Sequence, residues 1–257
     1  FYEALGEKPT RGITTHLRTK NGQIRLIEWH DKTLKDNHGD ILGLLSIGQD
    51  VTDRKKIEER TLRHAAYAEA LANISARINA NLDLDVVLSN ICEEMVHAIP
   101  AIKASAIMLV NSENQEVLSF AAGYGLVMEH QKQLNPVPIS IYYDDLANYG
   151  TIRVTPNIFD LQAAPNLELA KRIDIRTVIN AIMVHHDNIV GVIHLSTLHE
   201  PYMPSDEDFA FIQAFASHAT VSIVNARLFQ QISENRKRLQ SLSQRLVKIQ
   251  ESERRII

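Results

Sequence analysis

Apolar and polar positions change their period several times along the chain, and each change marks an element. Residues 13–52 read as three strands, with Lys20-Asn21-Gly22 between the first two and a polar turn at 36–40 before the third. Asn-Gly supplies the positive φ angles that a tight hairpin needs. From 53 to 79 the period lengthens to that of a helix, with Ile57, Tyr67, Leu71, Ile74 and Ile78 on one stripe. Asp83 stands as an N-cap before a second helix, whose face is Leu84, Val87, Leu88, Ile91, Cys92, Met95, Val96 and Ile99; Pro100 ends it. Two strands follow, at 103–111 and 116–123. Residues 124–150 give no clear period. Residues 151–174 hold a short strand, a proline-containing loop and a helix near Leu167. A strong hairpin comes next, 176–186 and 189–198, rich in β-branched residues around a turn at Asp187-Asn188. Ser205 then stands as an N-cap with Asp208 at the third helical position, a variant of the capping box. The helix it opens carries Phe209, Ile212, Phe215, Ala216, Ala219, Ile223, Ala226 and Phe229, and the spacing predicts an unbroken run into the last residues.

That last stretch has a pattern of its own. Ile232, Asn235, Leu239, Leu242, Leu246, Ile249, Glu253 and Ile256 fall at alternating steps of three and four, an a/d heptad seam apolar at six of eight positions. A lone helix would leave the seam in water, so a homodimer is expected; a solvated helix packing on its own domain is the alternative. The flanking positions, among them Arg236, Arg238 and Arg245, hold no acid, so salt bridges do not set the orientation. The pattern stops without a cap and the chain starts at Phe1 rather than Met, as expected for the middle of a larger signalling protein.

Bulk properties narrow the classes. The 257 residues are 45% hydrophobic and 23% charged, an ordinary globular composition. A net charge of −4 gives no general case for a nucleic-acid partner. Residues 234–257 carry seven Lys/Arg against three Glu, which suits a solvated coiled-coil face. The single cysteine, Cys92, excludes an intrachain disulfide and any multi-cysteine metal site. No signal peptide and no apolar run of the ~20 residues a membrane helix needs is visible, which fits a cytoplasmic location, with membrane anchoring of the parent left open.

Three segments resemble known families. The run from Arg18 through Asp50-Val51-Thr52 into the charged helix after it is similar to the C-terminal part of a PAS domain and its exit signature. The helix at 82–95, the hairpin at 175–196 and the stretch at 201–231 resemble a GAF domain. Residues 242–257 resemble the lead-in to the phosphoacceptor histidine of a two-component histidine kinase. The implied fold is α+β: a GAF-like antiparallel sheet flanked by helices, preceded by a partial PAS-like three-stranded sheet and followed by a long coiled-coil helix. The implied domains are 1–52 for the PAS-like part, 53–80 for a linking helix, 65–230 for the GAF-like domain and 231–257 for the start of the dimerisation helix. The implied function is the sensory and signal-transmitting region of a bacterial histidine kinase, with a response regulator as the parent's partner and no catalytic domain in this stretch. A GAF sensor feeding a diguanylate cyclase or transcription activator, and a GAF domain acting only as a dimerisation spacer, remain alternatives.

Candidate pocket residues follow from strand parity and from the resemblance. Parity places Val190, Val192, His194 and Ser196 on one face of a strand that, in GAF domains, lines the ligand pocket. His194 and Ser196 there need polar partners or a ligand, since an unpaired buried polar group costs ~1–3 kcal/mol. Tyr142, Tyr143, Thr155, Asp160, Arg176 and Thr177 are looser candidates from the variable loops and a strand start. Each of these residues has an equally available structural role. His185 and His186 read as solvated residues beside a turn, and His97 has no ligand spacing.

The cofactor is unknown. Covalent bilin attachment needs a thiol near the pocket loops, whereas Cys92 sits on an apolar helical stripe. GAF sulfoxide reductases need more cysteine chemistry than one thiol provides. Cyclic-nucleotide GAF domains carry an Asn-Lys pair ahead of their Asp-Glu pair; here Asp206-Glu207 is present but Thr197-Leu198 stands where Asn-Lys would be. Haem ligation through a histidine singles out no residue.

The seam gives a direct prediction. Replacing both Leu242 and Leu246 with Asp is expected to convert a dimer to a monomer, halving the mass seen by light scattering; an unchanged mass would rule the seam out as the dimer contact.

Overall fold

A computed structural model describes residues 11–80 and 83–254. The chain divides into two compact units, 1–65 and 66–257. In the first, β1 (Arg11–Arg18), β2 (Ile24–Lys35) and β3 (Ile41–Asp50) pair antiparallel in that order. The first turn is four residues long rather than two: the Gly22 amide donates to the Thr19 carbonyl at 2.9 Å, and Gly22 alone takes a positive φ, 84°. Asp50-Val51-Thr52 joins the sheet to the helix α1 (Thr52–Ala80). The Thr52 amide and hydroxyl both donate to Asp50 Oδ1, at 2.9 and 2.6 Å, and the Leu26 amide donates to Thr52 Oγ1 at 2.8 Å. Arg54 reaches back to Glu28 at 2.8 Å. The junction is therefore pinned, with Val51 buried. The sheet itself leaves Leu17, Ile24, Leu42, Leu45 and Ile47 exposed, as three strands alone bury little.

The second unit is a six-stranded antiparallel sheet in the order β6-β5-β4-β9-β8-β7. In chain order its elements are α2 (Leu84–Ala98), β4 (Ala104–Val110), β5 (Val117–Tyr124), α3 (Met128–Gln131), β6 (Val137–Pro138), α4 (Ser140–Tyr149), β7 (Ile152–Thr155), α5 (Leu167–Arg172), β8 (Ile175–His185), β9 (Asn188–Leu198) and α6 (Asp206–Arg254). The stretch without a clear period, 124–150, thus holds two helices and a minimal edge strand. Asp83 caps α2, accepting from the Asp85 amide at 3.0 Å.

One face of the sheet carries the main core, where Leu88, Ile91, Cys92 and Met95 of α2 and Ile212, Phe215, Ala219 and Ile223 of α6 meet Ile107, Ile179, Ile193 and Leu195. The other face is covered by α4, α5 and the loops around them. Because both faces are covered, β4 is buried at every position from Ala104 to Leu109 and shows no alternation.

Three details differ from the expectations. The two-residue turn between β8 and β9 is His186-Asp187, with φ of 46° and 63°, and Asn188 already pairs with His185; positive φ at both centres is the geometry whose twist suits a hairpin. Ile189 pairs with Val184 and Gly191 with Met183, so Val190 is an extra residue, a bulge. Parity breaks there: Val190 packs with the α2/α6 core, and Ile189 joins Val192 on the opposite face. On α6, Phe229 is exposed, and Phe211, stacked on Tyr67 at 4.0 Å, is a core residue instead.

The helix α6 is 49 residues long. Its stretch Asp206–Arg245 is long and apolar enough by composition to cross a membrane, but half of that window is buried in the domain, among core side chains. Beyond the core, Val221, Leu228, Ile232, Leu239 and Leu242 are exposed. These continue the 3–4 spacing of the seam back from Ile232 through Asn225 to Val221. The side chains of Leu246 and Ile249, and the whole of Ile256, lie outside the described residues.

Ser205 and Asp208 close a reciprocal capping box. The Asp208 amide donates to Ser205 Oγ at 3.2 Å, and the Ser205 amide donates to Asp208 Oδ2 at 2.7 Å. Asp208 does more than cap. Buried at 2% exposure, it also accepts from the hydroxyls of Ser205, Tyr202 and Tyr67, tying α1 and the β9–α6 loop to the start of α6. Burial pushes its carboxyl up, but the hydrogen bonds from Ser205, Tyr202 and Tyr67 together outweigh that and hold it below its ordinary value. Asp208→Ala should cost about 3 kcal/mol, for a lost cap and the hydrogen bonds that two tyrosine hydroxyls lose with the carboxylate. A urea melt at neutral pH reads this, and a loss under about 0.5 kcal/mol would show that those hydroxyls find other partners. Since the folded pKa is depressed, the stabilisation is present at neutral pH and is lost as pH falls through the carboxylate range.

Candidate functional site

The face of the sheet opposite the main core encloses a cavity of about 180 Å³. A single ordered water needs only ~10–15 Å³ on this measure, so the space suits a small organic molecule. Register builds its floor. Ala106, His194, Asn180 and Arg153 are paired in one row across β4, β9, β8 and β7. Ser196, Val178 and Thr155 form the next row. Most of the remaining lining is apolar: Met108, Ile141 and Ile158 near the floor, and Leu126, Leu134, Leu161, Leu167 and Leu169 from the covering segments. Two of those segments are clipped together by Asn166, which accepts from the Asn135 amide at 2.9 Å and donates to its carbonyl at 3.2 Å.

The polar groups gather at one end. His194 Nδ1 lies 2.9 Å from Asn180 Oδ1, and Nε2 lies 3.3 Å from the Tyr142 hydroxyl. Burial lowers the His194 pKa to about 4, so the ring is neutral at pH 7. A neutral ring satisfies both contacts if Nδ1–H donates to Asn180 and Nε2 accepts from Tyr142. Burial pushes the Tyr142 phenol up, and Asp145 nearby adds to this, so the phenol keeps its proton. Asp145, 3% exposed, accepts from Arg153 through Oδ1, and its Oδ2 has no protein partner. The Arg153 guanidinium also lies over the Tyr149 ring, 5.2 Å from its centre.

Of the residues expected in the pocket, His194, Ser196, Thr155 and Tyr142 line the cavity. Four do not. Tyr143 is exposed, on the side of α4 away from its buried neighbours Tyr142 and Asp145. Asp160 is exposed and accepts from Asn157. Arg176 pairs with Asp174 at 2.9 Å and stacks over Phe159. Thr177 is fully buried on the core face, donating to the Pro156 carbonyl at 2.7 Å and accepting from the Tyr202 amide at 2.8 Å. The strand start that suggested Arg176 and Thr177 does reach the cavity, through Ile175, but Thr177 faces the core and Arg176 is held by Asp174 and Phe159. Asp145, Arg153 and Asn180 escaped the sequence reading. Tyr142, Asp145 and Tyr149, at steps of three and four, form one helical face, a signal hidden by the weak overall period of 124–150.

Cys92 is fully buried in the main core, and burial pushes its thiol up to about 12. It faces away from the cavity and is no attachment point. Thr197, standing where a cyclic-nucleotide site would have its Asn-Lys pair, is used inside the fold: it accepts from the Thr177 amide at 3.1 Å and donates to the Glu200 carbonyl at 2.7 Å. Among the described residues, no cluster of three or more His, Cys, Asp or Glu side chains could hold a metal ion.

An antiparallel sheet with α2 and α6 packed on one face, and a partly open cavity beneath α4, α5 and their loops on the other, defines the class of small α+β domains with a pocket on the sheet. The chain belongs to the GAF domain family, whose model matches residues 81–224. Solved structures agree on the fold. The GAF domain of a phosphoenolpyruvate-protein phosphotransferase from Coxiella burnetii superposes with a TM-score of 0.54 at 16% identity, over 65% of this chain and 98% of that one. The corresponding Acinetobacter domain gives 0.52 at 14%, over 63% and 94%. The free methionine-R-sulfoxide reductase of Neisseria meningitidis, solved with its substrate, gives 0.51 at 14%, over 63% and 90%. No curated protein matches the sequence.

The depressed pKa of His194 makes stability depend on pH. The unfolded ring binds a proton near 6.5 and the folded ring only near 4, so this contribution is complete above pH 6.5 and lost as pH falls towards 4. The loss is at most about 3 kcal/mol, an upper limit because part of the ring faces the cavity. His194→Gln is expected to flatten the stability–pH curve between 6.5 and 4; a wild-type slope retained in the variant would assign the effect to another group.

Proposed function

We propose that this chain is the sensory and signal-transmitting region of a histidine kinase, in which a small molecule in the cavity biases the packing of dimeric helices. The observation that carries the reading is the cavity itself, backed by a sheet one residue thick. Asn180 and His194 face the cavity, while their neighbours Ile179, Ala181, Ile193 and Leu195 pack in the core that holds α6. Successive residues of a strand project to opposite faces, so a change in the floor row displaces the residues under α6. The α6 residues beyond that core carry the exposed seam. A homodimer through Val221, Leu228, Ile232, Leu239 and Leu242 would cover that apolar stripe, and a response regulator would be the partner of the kinase parent.

The three-stranded unit is read as the C-terminal part of a PAS-like domain. Its exposed Leu42, Leu45 and Ile47 and the pinned Asp50-Val51-Thr52 junction support this. A cytoplasmic location is consistent with the apolar stretch of α6 packing into its own domain.

Transmission requires that the ligand bind two helix packings unequally; typical couplings are ~1–3 kcal/mol. Ala106→Phe, which fills the cavity floor, is expected to change hydrogen exchange in residues 228–245 of α6 about tenfold, equivalent to ~1.4 kcal/mol. Exchange unchanged in α6 would overturn transmission through the sheet. In the full-length parent the same variant should alter the rate of histidine phosphorylation; a parent that incorporates no phosphate from ATP would overturn the kinase output.

A further inference from the structure

We propose that the cavity takes a small, largely apolar molecule whose polar head donates hydrogen bonds, an amine or an alcohol without an anionic group, and that Asp145 selects it. The inference rests on reading the cavity as a ligand site and goes on to the chemistry of the ligand.

Hydrogen bonds inside the cavity leave one buried acceptor without a donor, while the Asn180 amide NH2 and the hydroxyls of Ser196 and Thr155 also line the space. With the His194 proton on Nδ1, Tyr142 gives its only hydrogen to His194, and His194 gives its own to Asn180. Asn166 is occupied with Asn135. Asp145 is buried, with one oxygen on Arg153 and the other, Oδ2, without a protein partner. A carboxylate oxygen can only accept, and the phenol oxygen of Tyr142 has lone pairs left for the same purpose. A buried acceptor of this kind calls for a donor.

An anionic head meets the opposite situation. Among the described residues, the one cationic side chain lining the cavity is Arg153, already paired with Asp145 and resting on Tyr149. A ligand carboxylate reaching Arg153 would sit beside Asp145 Oδ2 with no hydrogen between them, a like-charge contact in a poorly hydrated site. The largely apolar lining elsewhere gives a sugar or a nucleotide few partners, whereas an aromatic or alkyl body fits it.

Four probes of one shape test this by calorimetry or ligand-observed NMR on the whole chain: 2-phenylethylamine, 2-phenylethanol, 3-phenylpropanoate and propylbenzene. The amine and the alcohol should bind at least tenfold tighter than the other two. Asp145→Asn should invert the order. Its amide oxygen faces Arg153, its NH2 faces the cavity, and the donor vacancy becomes an acceptor vacancy, so 3-phenylpropanoate gains and the amine loses at least tenfold. A residue that merely holds α4 in place would weaken all four probes alike, and that result would overturn the selecting role. Should Asp145→Asn fail to fold, the wild-type ranking decides: 3-phenylpropanoate binding as tightly as the amine overturns the donor-head proposal and leaves the ligand site standing. If none of the four binds the wild-type chain, the ligand-site reading falls, and this inference with it.

Discussion

A strand covered on both faces has no neutral position, and the GAF sheet is organised by that constraint. From Val178 to Val184 in β8 and from Val192 to Ser196 in β9, side chains commit alternately to the core under α2 and α6 or to the cavity side. The apolar residues Ile179, Ala181, Ile193 and Leu195 take the first; Asn180, His194 and Ser196 take the second. A slip of one residue would put a histidine and an asparagine into a close-packed core and two aliphatic side chains into the polar end of the cavity. The bulge at Val190 shows the same constraint at work: it resets parity near the hairpin end, so that Ile189 rather than Val190 faces the α4 side.

Polar groups on such a surface persist only as a connected set. Asn180, His194 and Tyr142 satisfy one another in a chain, and Arg153 meets Asp145 across the β7–α4 junction. The chain works because burial keeps His194 uncharged and Tyr142 protonated. One oxygen stands outside the set. Its exclusion gives the cavity a chemical polarity that its shape alone would not.

Asp208 plays the corresponding part at the base of α6. A carboxylate that caps its own helix and accepts from Tyr67 and Tyr202 fixes where α6 begins relative to the second half of α1 within the domain. From that fixed start the helix runs 49 residues. Its buried side is used up by the domain core through Ala226, and its exposed side carries the 3–4 spacing from Val221 onward. One helix therefore carries two apolar faces, one buried in its own domain and one exposed, and the period of each is visible separately.

Residues close together in the chain were legible in the sequence. The helical face of α2 with its Asp83 cap, the Ser205–Asp208 box, the three N-terminal strands, the β8–β9 hairpin and the heptad spacing all follow from local period and capping chemistry, which depend on neighbours within a turn or a pleat. His194, Ser196, Thr155 and Tyr142 were identifiable as cavity residues, two from strand parity and two from the family resemblance. Tertiary structure alone decided what lies across the sheet from them. Which residue of β7 stands beside Asn180 depends on the register of strands more than twenty residues apart, and that register placed Arg153 in the floor row. Asp145 became a site residue only because α4 folds over that row and buries a carboxylate against it. Sequence by itself determined the elements with a clear local period, which leaves out those between 124 and 150; the site was decided by packing between distant segments, which no local period records.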